Sequence, residues 1–346
     1  MSEDILIRVT GGVGRITLNR PRAINALSDD MLREMGKALT SWATDAAVHA
    51  VLLDGAGERG LCAGGDIRSI YRAIQDGTDG PIGFWREEYQ VNALIANYPK
   101  PYAVFMDGLV MGGGVGVSAH GSVRVVTERT AIGMPEVSIG FIPDVGGTFL
   151  LSRAPGELGT HLALTGGRIG AADAILCGLA DQYLPSAVLP ELAELPAEQL
   201  LVEIAARAET PPAGQLAEDR EWIDSCYAAD TVEQILANLH GSGHPGAEAA
   251  AKEIQAKAPT AVKVALRALR TARGLSTVEE CLNLEHRLVS RFLTAPDLAE
   301  GIRAAVIDKD RNPTWHPATL AEVADAAVEE YFTPKPGQQP VFGGSA

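Results

Sequence analysis

Apolar and polar residues alternate one by one over ILIRV (5–9) and GRITLN (14–19), the period of strands with one buried face. Gly11 and Gly12 between them predict a hairpin turn, and Pro21 stops the second strand. The period then lengthens. Met31, Leu32, Met35, Leu39 and Trp42 recur at helical spacing behind Ser28 and Asp29, a helix-capping pair. AVLLD (50–54) and YAVFM (102–106) are continuous apolar runs too short for helices and read as buried strands. Between them lie a glycine-rich loop (55–66), a helix IRSIYRAIQ capped by Asp66, a glycine-rich break at 77–83 and a long helix FWREEYQVNALIANY (84–98). A short helix VGVSAH (115–120), a strand VRVVT (123–127), helices near 146–153, 157–165 and 171–177, and a last strand DQYLP (181–185) follow. Strands alternating with helices predict an α/β fold with parallel crossovers.

Beyond Pro185 the strands stop. Residues 186–258 are rich in Ala, Glu and Pro with helical periodicity, and amphipathic helices are expected at 260–275, 278–293 and 298–308. In the second of these, Val278, Cys281, Leu282, Leu288, Val289 and Phe292 mark the inner face. The expected organisation is an α/β core over 1–185, a helical region over 186–335 packing on it, and a loose tail over 336–346.

Composition narrows the function classes. With 46% hydrophobic and 21% charged residues among 346, the chain is that of an ordinary globular protein. It carries 29 basic against 44 acidic residues, a formal net charge of −15, which argues against nucleic acid or an anionic membrane as main partner. Four scattered cysteines form no CxxC pair, so neither a disulfide framework nor a zinc ribbon is expected. Residues 1–20 show no signal-peptide pattern, and no apolar run reaches the roughly 18 residues needed to span a bilayer. A cytoplasmic location is expected.

The chemistry concentrates in Met111 to Gly147, MGGGVGVSAHGSVRVVTERTAIGMPEVSIGFIPDVGG. Two glycine loops, CAGGD (62–66) and MGGG (111–114), each follow a buried strand and open a helix. Glycine lets backbone N–H groups approach a ligand closely, and a donor from each loop would make an oxyanion hole for acyl transfer. Glycine also serves tight turns, which is the plainer reading of either loop alone. Glu136 and Asp144 each follow a proline in an apolar run, where a charge is expensive to keep. Two acids sharing a pocket separate in pKa and supply one acid and one base. Against that, Glu136 could simply favour a helix N-terminus and Asp144 could cap the next helix. Gly114, Gly116 and Ala119 also fit a dinucleotide fingerprint. The acid at 136 lies past the strand end where a ribose partner belongs, so that reading is set aside. Cys62 has no histidine partner in any motif and reads as a small buried residue, and His120 as a core histidine.

Together, NRPRAINALS (19–28), GLCAGGDI (60–67), MGGGVGVSAHG (111–121) and MPEVSIGFIPDVGG (134–147) resemble the crotonase (enoyl-CoA hydratase/isomerase) superfamily. REEY (86–89), PDVGG and GIRAAVIDKDRNPTWHP (301–317) resemble its branch of 3-hydroxyacyl-CoA hydrolases. The resemblance implies a crotonase-like spiral of strand–helix units with a C-terminal helical region. It implies an acyl-CoA substrate, no cofactor beyond the CoA it carries, and no metal. Gly65 and Gly113 would provide the oxyanion hole, Glu136 the nucleophile or base, and Asp144 the acid of the hydrolases. Glu88, Ala63 and Arg22 would add substrate and CoA contacts. Hydratases of the superfamily carry a second catalytic Glu where this chain has Gly116. The expected reaction is hydrolysis of a short branched 3-hydroxyacyl-CoA, 3-hydroxyisobutyryl-CoA, in valine degradation. The alternatives are an enoyl-CoA hydratase or isomerase and a non-catalytic acyl-CoA binder. Self-association stays open, because the superfamily includes trimers.

Overall fold

The computed structural model describes residues 3–335 and 337–343. The chain forms two compact units that interleave along the sequence. The first comprises Met1–Gly65, Glu87–Gly133 and Arg168–Gln215. Its strands are, in chain order, β1 (Ile5–Thr10), β2 (Val13–Leu18), β3 (Ala50–Gly55), β4 (Tyr102–Met106), β5 (Leu109–Met111), β6 (Val123–Val126), β7 (Ala131–Gly133), β8 (Arg168–Ile169) and β9 (Gln182–Tyr183). Among the described residues these make a six-stranded sheet in the order β1-β2-β3-β4-β6-β9 and a three-stranded sheet β5-β7-β8. β1 pairs with β2 antiparallel as the hairpin pattern requires, and every other pairing in the larger sheet is parallel. The fold is α/β, as the alternation of elements indicated.

Helix Asp29–Thr44 starts at Ser28, whose hydroxyl accepts the Met31 N–H, and buries Met31, Leu32, Met35, Leu39 and Trp42. One face of the larger sheet, with Val13, Leu52, Phe105 and Val125, packs against Leu192, Leu200 and Ile204. Burying each such leucine or isoleucine contributes about 1.5–3 kcal/mol. The start of the Ala/Glu/Pro-rich stretch therefore closes this core, and the contacts do not divide the chain at residue 185.

The second unit comprises Asp66–Arg86, Met134–Gly167 and Leu216–Ala346 and is helical among its described residues. Helix Val278–Phe292 opens with a capping box between Thr277 and Glu280, which satisfies two otherwise orphaned backbone donors. Helix Gly80–Ala96 begins inside the expected glycine-rich break, because Pro81 fits the first turn of a helix, where its missing N–H is no loss. Asp66 stands at the cap position of helix Ile67–Gln75 without a side-chain cap bond. The expected loose tail is also different. Asn283 binds the backbone of Val341 and Phe342, and the Gln338 amide donates to Ser290 Oγ. Pro336 and residues 344–346 lie outside the described residues. No helix among the described residues is long and apolar enough to cross a membrane.

Candidate active site

In the first unit the two glycine loops are laid side by side by backbone pairing. Cys62 bridges to Val110 in parallel register, and its N–H and C=O bond Leu109 and Met111. The Leu27 N–H donates to Gly64 O, and the Ala63 N–H to Ile24 O. Each loop then places a glycine with positive φ just before the expected donor: Gly64 at +104° and Gly112 at +49°. Only glycine adopts these torsions freely, and they set the direction of the next N–H. Neither the Gly65 nor the Gly113 N–H meets an acceptor among the described residues. A Cβ on Gly113 would clash with Glu88 Oε1 and sit 3.2 Å from Gly65 N. The space above Gly113 is thus within reach of the Gly65 donor and bordered by the Glu88 carboxylate.

Glu88 is 2% exposed on helix Gly80–Ala96. Asn92, one turn further along, is fully buried, and neither of its amide atoms is hydrogen-bonded among the described residues. Buried polar groups seldom stay unpaired, and sequence reasoning did not single this one out. Asn25 was missed as well: its amide donates to Ala56, Gly60 and Leu61 O and accepts the Arg20 N–H, pinning the chain before the first glycine loop. The Cys62 thiol donates to Asn25 O, and burial pushes it up to about 12, so it is a packing group without thiolate character. Arg22 is exposed, and no hydrogen bond or ion pair of its guanidinium is found among the described residues.

The acids Glu136 and Asp144 belong to the second unit. Pro135 precedes a single 3-10 turn, Glu136–Ile139, that places Glu136 first. Glu136 is 7% exposed and Asp144 5%. Burial raises the Glu136 carboxyl well above the usual range, and the charges of Asp144 and then Glu285 add to it. Its Oε2 is buried with no hydrogen-bond partner among the described residues. Such a carboxylate holds reactivity that a solvated or paired one would lose.

Asp144 is not the cap residue of the next helix. Helix Gly147–Ser152 has Gly146 at the cap position and no side-chain cap there. Its first donors go instead to Glu285, which is fully buried on helix Val278–Phe292. Gly146 N–H donates to Glu285 Oε2 at 2.7 Å, and Thr148 N–H to Oε1 at 2.9 Å. Burial pushes the Glu285 carboxyl up to about 8, the Asp144 charge adding to the rise and the Thr148 and Gly146 hydrogen bonds opposing it. The signal for Glu285 was present in the sequence, since it falls four residues after Cys281 on the apolar face. Among the described residues no three His, Cys, Asp or Glu side chains cluster to hold a metal ion.

The chain matches the enoyl-CoA hydratase/isomerase family over residues 13–332. A relative from Rattus norvegicus named 3-hydroxyisobutyryl-CoA hydrolase, mitochondrial, is 40% identical over 346 residues, covering 95% of this chain and 88% of its own. Its namesake from Gallus gallus is 37% identical, covering 96% and 89%. Among solved structures, a carnitinyl-CoA dehydratase from Mycobacterium thermoresistibile superposes with a TM-score of 0.94 at 50% identity, covering 99% of this chain and 100% of that one. An enoyl-CoA hydratase from Rhodobacter sphaeroides 2.4.1 superposes with a TM-score of 0.90 at 40% identity, covering 96% and 97%. The expected cytoplasmic location finds no support in the two curated relatives, which are named as mitochondrial. With identity spread over nearly its whole length and a family match from residue 13 to 332, the chain belongs to the enoyl-CoA hydratase/isomerase (crotonase) family.

Proposed function

We propose that the protein hydrolyses the thioester of 3-hydroxyisobutyryl-CoA, giving 3-hydroxyisobutyrate and free CoA, a reaction of valine breakdown. The observation that carries hydrolysis is the pair of buried acids Glu136 and Asp144, the first with an unpartnered carboxylate oxygen. The names of relatives at 37–40% identity support the substrate.

In this reading the thioester oxygen accepts the Gly65 and Gly113 N–H groups, whose hydrogen bonds strengthen as negative charge develops on it. Glu136 acts in one of two ways. Its carboxylate attacks the carbonyl carbon, the C–S bond breaks, CoA thiolate leaves and is protonated, and water then cleaves the mixed anhydride. Alternatively it takes a proton from water that attacks the same carbon directly. Asp144 binds the 3-hydroxyl or positions the water, and supplies a proton to the leaving thiolate. Glu88 and Ala63 contact the substrate, and Arg22 faces the CoA phosphates. CoA enters only as part of the substrate.

Hydration or double-bond migration is the second reading, favoured by the names of the two solved structures. Hydration needs an acid and a base flanking the alkene, and Gly116 stands where the family's second Glu would be. Incubation with 3-hydroxyisobutyryl-CoA and a thiol-reactive dye separates the two. Release of free thiol supports hydrolysis. Loss of crotonyl-CoA absorbance without thiol release supports the second reading.

A further inference from the structure

The segment that carries Asp144 is strained. Val145 has φ +55° and Gly146 φ +79°, so two successive residues are left-handed, one of them β-branched. A branched side chain is a genuine outlier there, and such a conformation persists only where its surroundings over-determine it. Val145 is 1% exposed, so it cannot relax outward.

What holds the turn is visible in the hydrogen bonds. Glu285 offers both carboxylate oxygens to the next residues: Oε2 accepts Gly146 N–H at 2.7 Å, and Oε1 accepts Thr148 N–H at 2.9 Å and Thr148 Oγ1–H at 2.5 Å. Asp144 adds a bond of its own, since its C=O accepts the Gly147 N–H at 2.7 Å. The turn is therefore clamped on the side of helix Val278–Phe292 by one fully buried side chain.

We propose that Glu285 is the positioning residue of the Asp144 turn: by taking the Gly146 and Thr148 donors it holds Val145 in its strained conformation and so fixes where the Asp144 carboxyl points. The consequence for catalysis rests on the hydrolase reading; the consequence for the turn does not. Glu285 touches no reacting atom in this scheme and acts through Asp144.

The test uses the full-length protein and the substitution Glu285→Gln, compared above about pH 8, where Glu285 is ionised and both of its oxygens accept. Glutamine has one acceptor oxygen where glutamate has two, so one of the Gly146 and Thr148 N–H groups loses its acceptor. Amide exchange at Gly146 and Thr148 is expected to accelerate at least about tenfold while exchange in helix Pro259–Ala272 stays slow. The kcat for thiol release from 3-hydroxyisobutyryl-CoA is expected to fall about ten- to hundredfold, the size of effect that misplacing a reacting group produces. Adding Val145→Gly to the Glu285→Gln protein removes the left-handed strain and is expected to restore kcat about fivefold. A merely structural role for Glu285 predicts no such recovery. Should Glu285→Gln fail to fold, Glu285→Asp, which keeps two acceptors on a shorter stem, is expected to accelerate the same two amides. Unchanged exchange at Gly146 and Thr148 would overturn the clamp, and unchanged kcat despite faster exchange would overturn its bearing on Asp144. Wild-type protein that releases no thiol would sink the hydrolase reading instead, while the exchange data would still decide the clamp.

Discussion

Replacing Gly113 with alanine separates the oxyanion role of the glycine loop from its role in folding. The new Cβ would clash with Glu88 Oε1 and lie 3.2 Å from both Gly65 N and Leu27 Cδ1. Gly113 has no left-handed φ, so the backbone itself accepts alanine and the whole effect comes from filled space. The carboxylate end of Glu88 can swing aside, whereas the backbone at Gly65 cannot. Overpacking of this kind costs about 1–3 kcal/mol of stability. The methyl also occupies the position from which a thioester oxygen would reach the Gly65 N–H. Loss of one oxyanion donor lowers kcat about 10²–10³-fold, or about 2.7–4 kcal/mol of transition-state stabilisation. The catalytic effect is therefore the larger, and it should appear in protein that is still folded. Thermal unfolding followed by far-UV circular dichroism, together with initial rates of thiol release, measures both. The expected outcome is a folded protein with kcat down at least about a hundredfold. A folded variant within about threefold of wild type would refute the assignment of this space to the acyl oxygen.

Other substitutions reach the rest of the account. Glu136→Gln keeps size but removes nucleophile and base, so thiol release should fall by at least about 10³-fold in single-turnover assays. Because the Glu136 carboxyl is raised by burial and by Asp144 and Glu285, and the reaction uses its ionised form, kcat should rise with pH through a limb above the ordinary carboxylate range. A limb at the pKa of a free glutamate would contradict this. For stability the sign is opposite. Glu285, raised to about 8, binds its proton more tightly folded than unfolded, so its contribution is full below the unfolded pKa of about 4.3 and fades as pH rises to about 8. Glu285→Gln should flatten the decline of melting temperature over that window. Finally, Gly83 lies within helix Gly80–Ala96, and a Cβ there meets nothing within 4 Å. Gly83→Ala should stabilise by about 0.5–1 kcal/mol with kcat unchanged.

How much of this the sequence disclosed varies with the physics involved. Strands β1 to β4 and helix Asp29–Thr44 were legible because side-chain period and capping act locally. The small sheet was not: Leu109–Met111, Ala131–Gly133 and Arg168–Ile169 are two or three residues each, too short to show a period. The packing of Leu192, Leu200 and Ile204 on the larger sheet was invisible for another reason, since a helical stripe does not say which surface it meets. In the site, Gly65, Gly113, Glu136 and Asp144 were all marked by motif and by proline or glycine neighbours. Their assigned roles came from resemblance, and the structure adds the orphan donors and the unpartnered Glu136 oxygen. Glu285 and Asn92 were passed over because each sits in a helical pattern that reads as packing. A buried acid or amide is recognisable only once its neighbours are known.

The most direct test of the account is the product balance with 3-hydroxyisobutyryl-CoA. Free thiol and 3-hydroxyisobutyrate should appear in equal amounts with wild-type protein and stay at background with Glu136→Gln. Thiol release at background with the wild type, or release that survives both Glu136→Gln and Asp144→Asn, would contradict it.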